Sequence, residues 1–241
     1  MALLEVENVK KSFRLEQVLK GITFDIQKGE IFGLVGVSGG GKSTIFNILM
    51  GLVKRDSGDI LFQGEKLSDS KNKLRLYAGF ATQSNMIFEE LTIKENGLYF
   101  GSLYGMKKSA IKKRIYDLTM LLGLKGYESK LVRNLSGGMK KRANILISLI
   151  HSPKLLILDE PTVGLDPILR RSLWRYIKDI NKGGTTVIIA SHLLDEIGEN
   201  CHRIGVLKDG KVVAIGTPQQ YLQKYGRGSN FREIFEAILS R

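Results

Sequence analysis

The sequence predicts an α/β fold with a mixed central sheet, an antiparallel β subdomain near the N-terminus and an inserted α-helical subdomain. Three patterns predict it. Apolar and polar residues alternate from Ile22 to Ile26, which is the period of a half-exposed strand. Short, nearly continuous apolar runs over 30–35, 155–158 and 187–190 are typical of buried strands in a parallel sheet. Residues 86–135 show helical periodicity without a comparable strand candidate, which indicates the inserted helical lobe.

The first part of the chain is predicted to form an antiparallel sheet followed by a strand, a loop and a helix. Leu3 to Val9 alternates less regularly than 22–26 and is the expected partner strand. The run 30–35 ends in glycines, and the apolar residues that follow recur at helical spacing. They are Ile45, Ile48, Leu49 and Leu52.

The last third of the chain contains a predicted strand-helix-strand unit, a hairpin and a terminal helix. Residues 168–180 have helical periodicity and lie between the apolar runs 155–158 and 187–190. Segments 203–207 and 212–215 are expected to pair around a turn at Asp209-Gly210. Beyond 226–229, Asn230 and Glu233 can cap a helix with an apolar stripe over 231–239. We expect this helix to fold back on its own domain; the alternative is a helix that binds a partner.

Charge and cysteine content limit the possible environments. The 241 residues include 37 Lys and Arg against 24 Asp and Glu, a formal net charge of +13. This charge suits nucleotide phosphates, an anionic membrane surface or nucleic acid, so it selects no partner. The basic residues occur in short clusters, which we interpret as solvated helix faces. The single cysteine, Cys201, excludes an internal disulfide and fits a reducing compartment. We expect neither a signal peptide nor a membrane-spanning helix.

The segment from Gly36 to Ser43 has the spacing of a phosphate-binding loop, and it lies between a predicted strand and a predicted helix. Glycines let backbone N–H groups turn toward phosphates, and the following helix presents its positive end to them. Lys42 is expected to reach the β and γ phosphates, and Ser43 to ligate Mg²⁺. The sequence therefore predicts binding of a nucleoside triphosphate. The expected contacts come from Gly36, Val37, Ser38, Gly39, Gly40, Gly41, Lys42, Ser43 and Thr44.

Asp159 and Glu160 follow the apolar strand 155–158, at the edge where parallel sheets bind ligands. Asp159 is expected to hold Mg²⁺, and Glu160 to orient and deprotonate the attacking water. Alone, such a pair is often a polar strand end or a helix cap. Because the loop at Gly36 is also present, we interpret the pair as catalytic.

Residues 135–139 are Leu-Ser-Gly-Gly-Met, so Ser136 can cap a helix that runs to about 150 while Gly137 and Gly138 expose its first amides. With these motifs in this order over nearly the whole chain, the sequence resembles the ATP-binding subunits of ABC transporters. Their signature is Leu-Ser-Gly-Gly-Gln, so Met139 departs from it at one side chain. The resemblance implies that Ser136, Gly137 and Gly138 contact ATP held by a second subunit.

The resemblance also assigns four isolated residues. Gln83 would sense Mg²⁺ and the attacking water, and His192 would contact the γ-phosphate. Asp166 would communicate between two ATP sites, although its place before Pro167 also predicts a helix cap. Phe13 would stack on the nucleotide base, with a buried sheet aromatic as the equal alternative. The implied catalytic set is Glu160, His192, Gln83 and Asp166, and the implied Mg²⁺ ligands are Ser43, Gln83 and Asp159.

By the same resemblance, the cofactors are ATP and Mg²⁺, and two ATPase subunits, identical or different, face each other head to tail. A membrane-spanning subunit would be the partner at the cytoplasmic face of the cell membrane, and nucleic acid is not expected. Details over 139–142, 160–166 and 192–196 look like the branch that exports drugs, lipids or polysaccharides. The ATPase domain is expected over 1–225, with a core at 1–85 and 136–225, a helical subdomain at about 86–135, and a linker and amphipathic helix over 226–241.

Two other functions are open at this point. A soluble ABC ATPase that acts on nucleic acid, ribosomes or cofactor assembly would suit the net charge, but no long coiled-coil insertion, zinc-type cysteines or second ATPase unit is found in the sequence. A regulatory subunit that binds ATP without hydrolysing it would lack a catalytic residue. All the matched positions here hold competent residues.

Overall fold

The computed structural model describes residues 2–68, 72–84, 86–225 and 230–240. The chain divides into two compact units. The first combines the chain up to Arg75 with the chain from Thr186 onward, and the second is Leu76–Thr185.

Strands and helices alternate along much of the chain. The strands are β1 (Ala2–Phe13), β2 (Glu16–Gln27), β3 (Ile31–Gly36), β4 (Ser57–Phe62), β5 (Glu65–Lys66), β6 (Ala78–Ala81), β7 (Leu155–Asp159), β8 (Thr186–Ser191), β9 (Arg203–Lys208) and β10 (Lys211–Gly216). The helices are α1 (Lys42–Leu49), α2 (Ile93–Leu103), α3 (Lys108–Leu121), α4 (Gly137–Ser148), α5 (Pro167–Lys182), α6 (Leu194–Asn200), α7 (Pro218–Tyr225) and α8 (Phe231–Ser240). Short 3₁₀ turns lie at Lys73–Leu76 and Val132–Asn134.

An antiparallel sheet in the order β2-β1-β4-β5 confirms the predicted N-terminal β subdomain. Alternate side chains of β1 and β2, such as Val6 and Ile22, are buried, as the alternating sequence predicts. Strand β4 has no sequence prediction, because its first half, Ser57-Gly58-Asp59, is polar. Its pairing with β1 supplies the stabilisation that its own sequence does not indicate.

A mixed sheet forms the centre of the first unit. Strand β3 pairs parallel with β8 on one side and β9 on the other, and β10 pairs antiparallel with β9. Both β3 and β8 are buried at every residue, which explains their continuous apolar sequences. The β9–β10 hairpin turns at Asp209 and Gly210, with φ of 47° and 74°, as the predicted tight turn requires.

Helix α8 packs within the first unit, so the predicted fold-back is confirmed. Ile234, Phe235 and Ile238 are buried, and the Phe235 ring meets Tyr221 edge to face at a centroid distance of 5.3 Å. Tyr221 in turn donates its hydroxyl hydrogen to Ile204 O at 3.0 Å. These contacts join α7, α8 and β9.

The second unit combines the parallel pair β6–β7 with helices α2 to α5. A capping box between Thr92 and Glu95 starts α2, which packs against α3 and α4. In the described part of 86–135, the only β pairing is an isolated bridge, Thr92 to Leu131, so the predicted helical character is confirmed. None of the helices in the described ranges has the length and apolarity needed to cross a bilayer.

Phe235→Ala should destabilise the first unit by about 3–5 kcal/mol, because it leaves a cavity beneath α8. The melting temperature should fall by roughly 6 °C or more. Glu236→Ala, an exposed change on the same helix, is the matched control and should shift it little. Equal melting temperatures for the two variants would contradict the packing of α8.

Candidate nucleotide site

The predicted phosphate-binding loop lies in the first unit, between the buried strand β3 and helix α1. Gly41 precedes α1 with a φ of 103°, and a Cβ there would lie 2.6 Å from the Leu19 side chain. Only glycine fits this position without strain. Among the described residues, no side chain caps the start of α1, and the positive end of the helix dipole favours an anion there.

Lys42 is buried within the loop that it follows. Its Nζ donates hydrogen bonds to Gly36 O at 2.8 Å and to Val37 O at 3.0 Å. The backbone therefore holds the ammonium group at the loop, where a phosphate bound there would meet it. Ser43 is exposed and Thr44 is half-buried in the first turn of α1. The loop thus offers glycine amides, one cation and a hydroxyl, which fits a phosphate chain.

His192 leaves the sheet at the same edge as this loop. Val35 in β3 pairs with Ser191 in β8, so Gly36 and His192 each follow a matched pair of residues in neighbouring parallel strands. His192 is exposed, and Ser191 Oγ accepts a hydrogen bond from Leu193 N at 3.0 Å, which fixes the backbone after it. The structure therefore brings the loop and His192 together.

Phe13 lies at the end of β1 and is 45% exposed. The interpretation of Phe13 as a buried sheet aromatic is therefore wrong. Lys11 Nζ lies 5.1 Å from its ring centroid, and Leu19, which lies against Gly41, pairs with Lys11 across the hairpin. One hairpin thus carries both an exposed aromatic ring and a contact to the loop.

In the second unit, Asp159 ends β7 and Glu160 follows it, both buried. Glu160 has a φ of 50°, a left-handed conformation that costs a non-glycine residue about 1 kcal/mol or more. Its carbonyl accepts hydrogen bonds from Val163 N at 3.3 Å and Lys141 Nζ at 3.5 Å. Burial lowers the pKa of Lys141, and the negative charge of Glu160 opposes that shift. A buried carboxylate on a strained backbone at a strand end, beside a half-buried cation, has the character of a functional site.

Gln83 lies at the same sheet edge as this pair, because Ala81 in β6 pairs with Leu158 in β7. Its side chain is exposed. Asn144 of α4 holds the backbone on both sides, since it donates to Thr82 O at 3.4 Å and accepts from Met86 N at 3.2 Å. Sequence reasoning missed Asn144, although a polar residue within the apolar run of a helix is a recognisable sign of such a role.

Ser136 caps α4 as predicted, with Oγ accepting a hydrogen bond from Met139 N at 3.3 Å. Gly137 is exposed, whereas Gly138 lies against α5, where an added Cβ would come within 2.9 Å of Leu169 Cδ1. Asp166 caps α5, its Oδ1 accepting from Ile168 N at 2.9 Å and Leu169 N at 3.0 Å. The structural role expected for Asp166 is therefore confirmed.

A protein-family model described as ABC transporter matches residues 19–163, more than half of the chain. The chain belongs to the ABC transporter family. As a member, it binds ATP and couples ATP hydrolysis to transport.

Relatives of the ABC transporter family match most of the chain. The linearmycin resistance ATP-binding protein of Bacillus subtilis is 38% identical over 93% of this chain and 72% of its own length. The Nod factor export ATP-binding protein I of a Rhizobium species is 36% identical over 96% of this chain and 76% of its own. A probable multidrug ABC transporter ATP-binding protein of Escherichia coli is 37% identical, and this chain spans 37% of it.

Solved structures agree with this membership. The ATP-binding subunit of an ABC transporter superposes with a TM-score of 0.87 and 28% identity, over 99% of this chain and all of that one. A second solved structure, cbiO1 from Clostridium perfringens, which is part of the ABC transporter complex cbiONQ, superposes with a TM-score of 0.85 and 30% identity over 100% of this chain and 95% of its own. The predicted α/β fold of ABC type is confirmed.

Asp166→Ala should cost about 1 kcal/mol of stability, because two N–H groups of α5 lose their acceptor. Asp166→Asn should keep the cap and the stability. Thermal melting of both variants measures the difference. A melting temperature for Asp166→Ala equal to that of the wild type would show that the cap contributes nothing.

Proposed function

We propose that this chain is the ATPase subunit of an exporter, and that it works as an ATP-bridged dimer against a membrane-spanning subunit at the cytoplasmic face of the cell membrane. The observation that carries the catalytic part is the grouping of functional residues at strand ends within each unit. In the first unit these are the Gly36 to Ser43 loop and His192, and in the second Gln83, Asp159 and Glu160. The name of the Rhizobium relative, a Nod factor export ATP-binding protein, supports export.

Triphosphate binding is assigned to the first unit. The amides of Gly36 to Thr44 and the ammonium of Lys42 would hold the phosphates, and His192 would contact the γ-phosphate from the neighbouring strand end. Phe13 would stack on the base, since its ring is exposed on the hairpin that contacts Gly41.

Mg²⁺ would be held by Ser43 in the first unit and by Asp159 and Gln83 in the second. These residues supply hydroxyl, carboxylate and amide oxygens, the donors that Mg²⁺ prefers. When bound, the ion neutralises charge on the phosphate oxygens.

Glu160 would orient and deprotonate the attacking water. Its left-handed backbone conformation turns the chain sharply after β7, and the contact between Lys141 and its carbonyl holds that turn. Asn144 would set the position of Gln83 by holding both sides of its loop.

A second ATPase subunit would complete each ATP site with its Ser136, Gly137 and Gly138. Ser136 and Gly137 are exposed at the start of α4, as such a contact requires. Asp166 would communicate between the two sites.

Because asparagine retains the helix cap, we expect Asp166→Asn to lower ATP turnover without lowering the melting temperature.

The membrane-spanning partner would contact the second unit near Gln83. Met86, Phe88, Tyr99 and Leu103 are all exposed there, and the Phe88 and Tyr99 rings lie 5.2 Å apart. Exposed apolar clusters of this kind mark protein interfaces.

We also propose a domain division with an ATPase domain over 1–225, which consists of a core at 1–85 and 136–225 and a helical subdomain at about 86–135. A linker and an amphipathic helix would follow over 226–241.

Glu160→Gln should keep ATP binding but lower turnover by at least about a hundredfold, because the general base is lost while the shape is kept. The variant should accumulate as a dimer with ATP. Phosphate release, nucleotide titration and gel filtration measure the three effects, with Glu236→Gln as the control for loss of a carboxylate. Unchanged turnover would refute the assignment of the base.

Phe13→Ala should weaken nucleotide binding by roughly fivefold or more, because an aromatic stack on a base contributes about 1–3 kcal/mol. Phe13→Tyr should retain binding. Leu15→Ala removes a fully exposed apolar side chain from the same hairpin and serves as the control. A nucleotide dissociation constant that Phe13→Ala leaves unchanged would remove Phe13 from the site.

A further inference from the structure

A cleft in the second unit carries lysines that the proposed ATP site does not use. It has a volume of about 300 Å³ and is lined by Lys94, Lys112, Ile115, Tyr116, Glu128 and Ser129. Helices α2 and α3 form its walls, with Ile115 buried between them. Glu128 and Ser129 form the third wall, and a hydrogen bond of 2.9 Å from Lys94 N to Glu128 O links this wall to α2. We call this feature the lysine cleft.

The charge around the lysine cleft is strongly unbalanced. Five exposed lysines lie on it or beside it, and over the described ranges none of them forms an ion pair: Lys94, Lys107, Lys108, Lys112 and Lys113. The carboxylate that lines the cleft, Glu128, accepts a hydrogen bond from Gly126 N at 2.9 Å. Two further carboxylates lie close to these lysines along the helices, Glu95 next to Lys94 and Asp117 one turn after Lys113, so lysines outnumber carboxylates by five to three. The cleft and its rim therefore present a net positive surface.

Four of these lysines, Lys107, Lys108, Lys112 and Lys113, lie at or near the start of α3. Helix α3 begins after Lys107, has no acidic residue in its first turn and has no side-chain cap. The N-terminus of a helix carries the positive end of its dipole, which repels nearby cations. This arrangement is therefore unfavourable unless an anion lies nearby. A bound anion would relieve that repulsion and would also interact favourably with the lysine ammonium groups.

Exposed apolar and aromatic groups continue the same row of α3. Lys108, Lys112, Tyr116 and Met120 are spaced four residues apart, so successive members are neighbours on the surface, and all four are exposed. Tyr116 is 58% exposed and Met120 46%. Lysine, tyrosine and an apolar side chain in sequence suit the interface of a membrane, where headgroups, water and acyl chains meet. A nucleic acid would interact favourably with the lysines but would not offer an apolar environment to the exposed methionine.

We propose that the lysine cleft and its rim bind anionic phospholipid headgroups, with one headgroup phosphate in the cleft between Lys94 and Lys112. The surface would hold the second unit against the membrane in addition to any protein partner. None of the residues of the lysine cleft is assigned to ATP, so a failure to bind lipid would leave the ATPase assignments unchanged.

The test compares binding of the full chain to vesicles of phosphatidylcholine alone and of an equimolar mixture with phosphatidylglycerol, by flotation. The variant Lys94→Gln/Lys108→Gln/Lys112→Gln removes three charges at the cleft. The control Lys28→Gln/Lys54→Gln/Lys211→Gln removes three exposed charges from the first unit. ATP hydrolysis and melting temperature should stay near wild type in both, since exposed substitutions cost little.

The wild type should bind the anionic vesicles, more weakly as salt rises, and not the neutral ones. The cleft variant should bind at least about tenfold more weakly, and the control nearly as well as the wild type. Single Lys112→Gln, with a loss of several-fold, supports the same conclusion if the triple variant is unstable. Equal losses in both triple variants, or no loss in the cleft variant, would overturn the proposal. So would preferential binding of a single-stranded oligonucleotide through the same three lysines.

Discussion

The pairing of β3 with β8 and β9 on its two sides determines the geometry of the first unit. A strand that is buried on both faces and paired along both edges has little freedom to shift, because any slip would break hydrogen bonds on both sides at once. Gly36 and His192 therefore leave the sheet at fixed, neighbouring points. The predicted phosphate-binding loop can be built from glycines because the elements at its two ends, β3 and α1, are regular and largely buried.

In the second unit, the pairing of parallel strands likewise fixes where the candidate site residues leave the sheet. The parallel register of β6 and β7 places Gln83 and the Asp159-Glu160 pair at one edge. Here the helix α4 adds a second restraint, because Asn144 bonds the backbone on both sides of Gln83. A single helix thus carries both the exposed residues Ser136 and Gly137 at its start and the residue that fixes the Gln83 loop further along.

The sequence predicted the elements that bury apolar residues continuously or at a clear period. Strands β3, β7 and β8 and helix α5 follow from such patterns, and the predicted phosphate-binding loop lies between β3 and α1 as expected. Strand β4 and Asn144 were missed for a physical reason. The strand character of Ser57-Gly58-Asp59 depends on its pairing with β1, which local patterns do not encode. Asn144 stands out locally as a polar residue in an apolar run, but the backbone groups that it bonds are distant in sequence. The exposure of Phe13 likewise depends on how the hairpin packs.

The net charge does not reveal which basic side chains have acidic partners. Many basic side chains have acidic partners: Arg203 pairs with Asp25 at 3.0 Å and Glu30 at 3.1 Å, and Lys140 pairs with Glu89 at 2.9 Å. Within the described residues, the lysines at the start of α3 have none. Unpaired cations at a helix N-terminus reduce the stability of the helix, so an anionic partner bound beside these lysines would stabilise α3 as well as bind to them.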